Sequence, residues 1–190
     1  MSANHQKITA LTECSVMLAL SIVLSFVKIW QMPMGGEVTL FSMLPIALIS
    51  VKYGFKQGLS TAFVYALFKL AMGFAGGDVF VYCATAFAVV ICILFDYIIP
   101  FSVLGFSGMF RKKGSIGAAA GTAITIIIRF LCHFITGFVI WSQWAPEGQS
   151  KYIYSLIYNG QYMLPECIMT CAGAFILTGI PRIRKLLNID

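Results

Sequence analysis

Residues 115–141 read SIGAAAGTAITIIIRFLCHFITGFVIW. The run exceeds the ~20 mainly apolar residues that a bilayer-crossing helix needs, and it is continuous where a membrane β-strand would alternate over only ~9–11 residues. Working outward from it, five further apolar runs separate at turn signals, giving segments at 9–30, 38–53, 58–75, 79–110, 115–141 and 156–181. The connections carry Pro33, Gly35-Gly36, Gly54, Gly76-Gly77-Asp78, Arg111-Lys112-Lys113-Gly114 and Ala145-Pro146-Glu147-Gly148. Six crossings take roughly 120 of the 190 residues, which leaves no room for a second, soluble domain. The expected architecture is an all-α membrane protein, one domain over residues 1–190 with six transmembrane helices. The fourth run, at 32 residues, would measure ~48 Å as a straight helix. Its first part is therefore expected to be a re-entrant or surface segment, with Pro100 kinking the rest of the run.

Composition agrees. The chain is 59% apolar and 11% charged with a mean hydropathy of +0.89, against ~45–50% and ~25% in soluble domains. A soluble globular enzyme, a disordered chain and a disulfide-stapled scaffold are all excluded. The formal charge of +6 does not point to nucleic acid, because the basic residues fall in short clusters between apolar runs. Lys7, Lys52, Lys56, Arg111, Lys112, Lys113, Arg182, Arg184 and Lys185 lie on one side and only Lys28 and Lys151 on the other. That asymmetry places both termini in the cytoplasm, which requires an even number of spans. Cys14, Cys83, Cys92, Cys132, Cys167 and Cys171 sit in apolar stretches without a C-x-x-C pair and read as small buried hydrophobes. The polar residues 1–12 lead into the first span without a cleavage pattern, so no removable signal peptide is expected.

No phosphate-binding G-x-x-x-x-G-K-[ST], H-E-x-x-H or G-x-S-x-G motif occurs. Transport driven by ATP would need another subunit to hydrolyse it. No clear internal repeat is present.

Ionisable residues inside the spans point to a site. The candidates are Lys69, Asp96, Arg129, His133 and Glu166, with Glu13 near the end of the first span. Arg129, His133, Gly137 and Trp141 recur every four residues and form one helix stripe, in which Gly137 leaves space for a flat ring. The competing reading is a polar helix–helix seam with Trp141 in an interfacial belt. Asn159, Tyr162 and Glu166 share a face of the sixth span, Asn159 offering a donor and an acceptor to an amide or aminopyrimidine edge. The alternatives are an aromatic belt, an interhelical bridge at Asn159, and pairing of Glu166 with Lys69 or Arg129. Asp96-Tyr97 suits a cation delocalised over a ring, or else an ion pair with Arg129. Lys69 is expected to snorkel to the outer surface. Ser15 and Ala19 form a small-x-x-x-small pair that admits a close helix, from this chain or another.

Several linked motifs carry a resemblance. Arg129-Phe130-Leu131-Cys132-His133-Phe134-Ile135-Thr136-Gly137 continues through Trp141-Ser142-Gln143 and Ala145-Pro146-Glu147-Gly148 to Tyr154-Ser155-Leu156-Ile157-Tyr158-Asn159. Met32-Pro33-Met34-Gly35-Gly36, Leu44-Pro45-Ile46 and Phe95-Asp96-Tyr97-Ile98-Ile99-Pro100 support it. The sequence resembles the thiamine-specific substrate-binding component of energy-coupling factor vitamin transporters. That resemblance implies capture of thiamine from outside a bacterial cell membrane, with no cofactor. It also implies docking onto a transmembrane coupling subunit served by two cytoplasmic ATPases. By the same resemblance Asp96-Tyr97 balances the thiazolium charge, His133 and Trp141 contact and stack on thiamine with Gly137 between them, and Arg129, Tyr154 and Asn159 complete the site. Ser15 and Ala19 match the motif that grips the coupling subunit. Two departures stand out: Asp96 replaces a Glu found in some members, and Gly36 falls where some carry a Trp, which puts Trp30 or Trp144 forward as a substitute.

The resulting reading is a binding component that performs no chemistry, with the 1–2 and 5–6 loops closing the outer mouth. Its rivals are the same fold binding a hydroxymethylpyrimidine precursor, a membrane-embedded enzyme using His133 with Asp96 or Glu166, and a purely structural subunit.

Overall fold

A computed structural model of the chain describes residues 3–76 and 80–189; Gly77 and Asp78 of the third connection lie outside the described residues. The elements in order are α1 (Ala3–Ser25), β1 (Lys28–Gln31), β2 (Glu37–Thr39), α2 (Leu44–Tyr53), α3 (Phe55–Gly76), α4 (Ala86–Cys92), α5 (Ile99–Ser102), α6 (Gly114–Val139), α7 (Lys151–Gly179) and α8 (Pro181–Leu187). A π turn over Ile93–Ile98 joins α4 to α5, and a 3-10 stretch over Val103–Lys113 continues α5, so these pieces make one helical pass. The architecture is an all-α bundle carrying a two-stranded antiparallel ribbon.

Four helical stretches are long and apolar enough to cross a membrane: Asn4–Ser25, Phe55–Gly76, the 54-residue Ala86–Val139, and Lys151–Gly179. The 54-residue stretch doubles back at Gly114, whose φ is 63°. A Cβ on Gly117 would strike the Phe110 carbonyl, and one on Gly121 the Ser107 carbonyl. Ser107 Oγ reaches Thr125 Oγ1 at 3.1 Å, and the Arg129 guanidinium lies 4.2 Å over the Phe101 ring. Descending numbers on one strand of this ladder meet ascending numbers on the other, which makes the two passes antiparallel.

Side-chain distribution is inverted relative to a soluble protein. On α6, Thr122, Thr125, Arg129, His133 and Thr136 are buried while Ile116, Ile124, Ile127, Ile128, Leu131 and Ile135 are exposed. Lipid accepts the exposed isoleucines, and the buried hydroxyls bond to backbone or to each other, as Thr122 does to the Ala118 carbonyl at 2.8 Å.

The first helix ends before its apolar run does, and the second is shorter than its run. α1 ends at Ser25, and Lys28–Gln31 leaves the helix to pair with β2, Trp30 opposite Val38 and Gln31 opposite Glu37. β-branched and aromatic residues at Val27, Ile29 and Trp30 favour the extended backbone. Gly35 and Gly36 make the turn at φ 86° and 91°, a region glycine enters without a Cβ penalty, and the Met32 amide donates to the Gly36 carbonyl at 2.9 Å. Helix α2 has ten residues, ~15 Å, because Phe41 takes φ 58° upstream, Pro45 occupies the first turn and Gly54 ends it at φ 79°. Leu44 to Val51 are all buried, so α2 is wrapped by protein on every side.

The fourth run also divides. Phe80–Tyr82 is a separate 3-10 turn, and Thr85 then caps α4 by accepting from the Ala88 amide at 3.1 Å. The effect of Pro100 shows in the turn before it. Proline has no N–H for the Asp96 carbonyl, and the Ile99 amide bonds the Leu94 carbonyl five residues back, which widens the helix into the π turn.

Candidate ligand-binding site

A cavity of about 360 Å³ opens between the ribbon, α3, the π turn, α6 and α7. Its lining includes Asp96, Tyr97, Arg129, His133, Gly137, Trp141, Tyr154 and Asn159, so the substrate-site residues expected from sequence are gathered around one space. The π turn sets Asp96 opposite α6, where the four-residue repeat delivers the Arg129–Trp141 stripe, and Tyr97 against Gly73 of α3.

Asp96 is the electrostatic centre. Its Oδ1 accepts from His133 Nδ1 at 2.9 Å and from Thr136 Oγ1 at 2.5 Å, and its Oδ2 accepts from Trp141 Nε1 at 3.3 Å. Arg129 Nε, which can only donate, points at His133 Nε2 at 3.4 Å, so the imidazole proton belongs on Nδ1 facing Asp96. Three donors converge on the carboxylate beside the aromatic walls of Tyr82, Trp141 and Tyr154. Such a wall attracts a flat, positively charged ring through both the carboxylate and the ring faces.

Asn159 Nδ2 donates to the His133 carbonyl at 3.1 Å and to the Ser155 carbonyl at 3.0 Å, while its Oδ1 accepts from the Tyr162 hydroxyl at 2.7 Å. The Tyr154 hydroxyl is buried and has no partner among the described residues, which leaves a phenol able to donate or accept at the cavity wall.

The ribbon roofs the cavity. The Tyr158 hydroxyl accepts from the Met34 amide and donates to the Gly35 carbonyl, both at 3.0 Å. Glu37 bonds Lys69 at 2.5 Å and Lys28 at 2.9 Å. Burial alone would raise the Glu37 carboxyl, but Lys69 foremost, then Lys28, hold it below its ordinary value of 4.5. At the ribbon base, Glu166 Oε1 accepts from the Thr39 amide at 2.5 Å and the Thr39 hydroxyl at 2.7 Å.

Several expectations are corrected. Lys69 does not snorkel to the surface, because Glu37 lies within reach and holds it at the cavity. Asp96 pairs with His133 and not with Arg129, whose guanidinium stacks on Phe101. Glu166 meets neither Lys69 nor Arg129 in an ion pair among the described residues; the ribbon's Thr39 takes its carboxylate first. Gly137 serves close packing as well as open space: a Cβ there would overlap Ser155 Oγ and lie 2.8 Å from Asn159 Nδ2. Neither Trp30, exposed on β1, nor Trp144, edge-on to Tyr82 at 5.4 Å, lines the cavity. Gly36 itself lies against Tyr162, whose Cε1 would be 2.6 Å from a Cβ.

Sequence reasoning left out Thr136, Tyr82 and Tyr158 and gave Glu37 no role in the site. Tyr158 was findable from its spacing, since Tyr158, Tyr162 and Glu166 recur every four residues on α7. Ser15 and Ala19 are exposed on the outward face of α1, and Ser15 borders a mainly apolar groove of about 520 Å³ between α1 and α3.

Comparison with known proteins agrees with this geometry. The solved structure of ThiT from Listeria monocytogenes superposes with a TM-score of 0.73 at 22% identity, covering 94% of this chain and 98% of that one, and so shares the fold. The thiamine transporter ThiT of Bacillus subtilis is 33% identical over 96% of this chain and 97% of its own length. Its counterpart from Lacticaseibacillus paracasei is 26% identical over 92% and 89%. The family model described as thiamine transporter protein matches residues 11–184. The chain is thus a multi-pass membrane protein of a transporter family, not an enzyme family, and it belongs to the thiamine transporter proteins.

Proposed function

We propose that this chain binds thiamine from the outer side of the membrane with high affinity and hands it to partner subunits for ATP-driven uptake. The observation that carries the reading is the Asp96 carboxylate, held by His133, Thr136 and Trp141 at the wall of an aromatic cavity. The thiazolium ring is the cation such a wall selects, and the remaining acceptor site of Asn159 Oδ1 with the unpartnered Tyr154 hydroxyl supplies hydrogen bonds for the aminopyrimidine. The topology fitting this reading has six crossings and cytoplasmic termini. Residues 38–53 make the second crossing inside the protein, and the cavity opens outward. Ser15 and Ala19 form the contact for a transmembrane coupling subunit, which two cytoplasmic ATPases serve.

Titrating the detergent-purified chain with thiamine, followed by tryptophan fluorescence, tests the ligand. Saturable sub-micromolar binding weakened by Asp96→Asn and Trp141→Ala is the expected result. A folded protein that ignores thiamine but binds hydroxymethylpyrimidine would overturn it.

A further inference from the structure

The ribbon crosses the cavity as a strap, and one stripe of α7 fastens it at three levels. Tyr158 holds the tip through Met34 and Gly35, Tyr162 packs under Gly36, and Glu166 holds the base through Thr39. The fastenings differ in kind. At the tip they are a neutral phenol bonded to backbone, around residues that are partly or fully exposed. At the base a carboxylate accepts two bonds from one threonine that is 2% exposed, beside Val38 at 3%. Hydrogen bonds in a dry setting are electrostatically stronger than those open to competing water. Glu37, between Gly36 and Val38, is additionally held by Lys69 on α3, so the strap as a whole is tied to two helices.

We propose that Glu166 and Tyr158 are positioning residues that divide this work: Glu166 is a permanent anchor, and Tyr158 a latch whose release lifts residues 33–36 off the cavity while the base stays in place. Glu166 does not line the cavity, and Tyr158, which does, exerts this effect through the strap it holds. Glu166 keeps the strap in register with the face of α7 that carries Asn159, and Tyr158 sets how often the mouth opens. As a gate for thiamine, the device rests on the ligand reading above; as a mechanical division of the strap, it does not.

Both bonds happen to use an amide proton, so each can be read directly. Hydrogen exchange at residue resolution on the full-length purified chain reports the latch through the Met34 amide and the anchor through the Thr39 amide. In the wild type, Met34 is expected to exchange at least tenfold faster than Thr39. Tyr158→Phe speeds Met34 by roughly fivefold, the worth of one ordinary hydrogen bond, and leaves Thr39 unchanged. Glu166→Gln, which keeps the shape and one acceptor oxygen, speeds Thr39. A purely structural role for Tyr158 would speed both amides alike, and that result, or equal rates in the wild type, overturns the proposal. Added thiamine slows Met34 and not Thr39. If it slows neither while the ordering of the two amides holds, the ligand reading fails and the strap stands. In protein that does bind thiamine, Tyr158→Phe raises its dissociation rate; an unchanged rate overturns the latch.

Discussion

Asp96 and His133 stand 37 positions apart in the chain and meet at 2.9 Å, carboxylate Oδ1 to imidazole Nδ1, on two antiparallel passes that double back at Gly114. Neither side chain sits there by local preference. The π turn presents the acid, the α6 stripe presents the base, and the pair is possible only because the glycines of α6 let the two passes touch. Removing the charge while keeping the size is thus the sharpest probe of the site. Asp96→Asn is expected to weaken thiamine binding roughly 10–100-fold, the worth of a hydrogen-bonded charge of ~1.5–3 kcal/mol, with the thermal midpoint of the free protein little changed. Fluorescence titration and a melting curve on the same preparation separate the two effects.

Gly137 is a packing requirement. Alanine there drives a methyl into Ser155 and Asn159, so Gly137→Ala is expected to push α7 away from α6 at a cost of ~1–3 kcal/mol. A lowered thermal midpoint, together with lost affinity through the displaced Asn159, is the expected outcome. An unchanged midpoint would show that the helices yield freely at this level.

The Glu37 carboxyl, depressed by Lys69 and Lys28, makes a pH-dependent contribution with a definite sign. A depressed acid stabilises the folded state at pH above its ordinary value of 4.5, and that contribution disappears as the pH falls through the lower folded value. The stability difference between wild type and Glu37→Gln should therefore be flat above about pH 5.5 and shrink as the pH drops below about 4.5. Lys69→Met should bring the loss to higher pH. Thermal melts across that range check both.

Ser15 and Ala19 face outward on α1 and do not line the cavity. Ser15→Leu and Ala19→Leu are expected to leave thiamine affinity within twofold while reducing uptake by cells that carry the complete transporter. Loss of binding in the isolated chain would remove them from the role of docking residues.

Much of this was legible in the sequence, for physical reasons that can be named. A membrane chain writes its spans as long apolar runs, and the four-residue repeat from Arg129 to Trp141 needs only a regular helix to become a face. The ribbon was not legible. Residues 28–31 and 37–39 mix polar and apolar side chains at the edges of long apolar runs, and what sets them apart as strands is the left-handed turn at Gly35-Gly36 and the positive φ of Phe41. Hydropathy cannot register a backbone conformation. The partners of Lys69 and Glu166 were out of reach for the same reason, since Glu37 and Thr39 are brought to them by that ribbon. The roles of Asp96 and Glu166 were distinguishable only once distances were known: both are membrane carboxylates beside helical neighbours, yet one faces the cavity and the other a strap.

The π turn over Ile93–Ile98 holds one residue more than the α-helix it interrupts, and each residue advances a helix by about 100°. Everything before the turn is thus out of phase with everything after it. Taking out a single residue between Ile93 and Tyr97 would restore an unbroken spiral and swing the upstream half of the pass by more than a quarter turn, moving Cys92 and its neighbours relative to the groups that Asp96 now meets. The acid at the heart of this cavity is in effect supported by a one-residue insertion. In this stretch, matching two chains residue for residue without allowing for the extra one would put the wrong side chains toward the lipid.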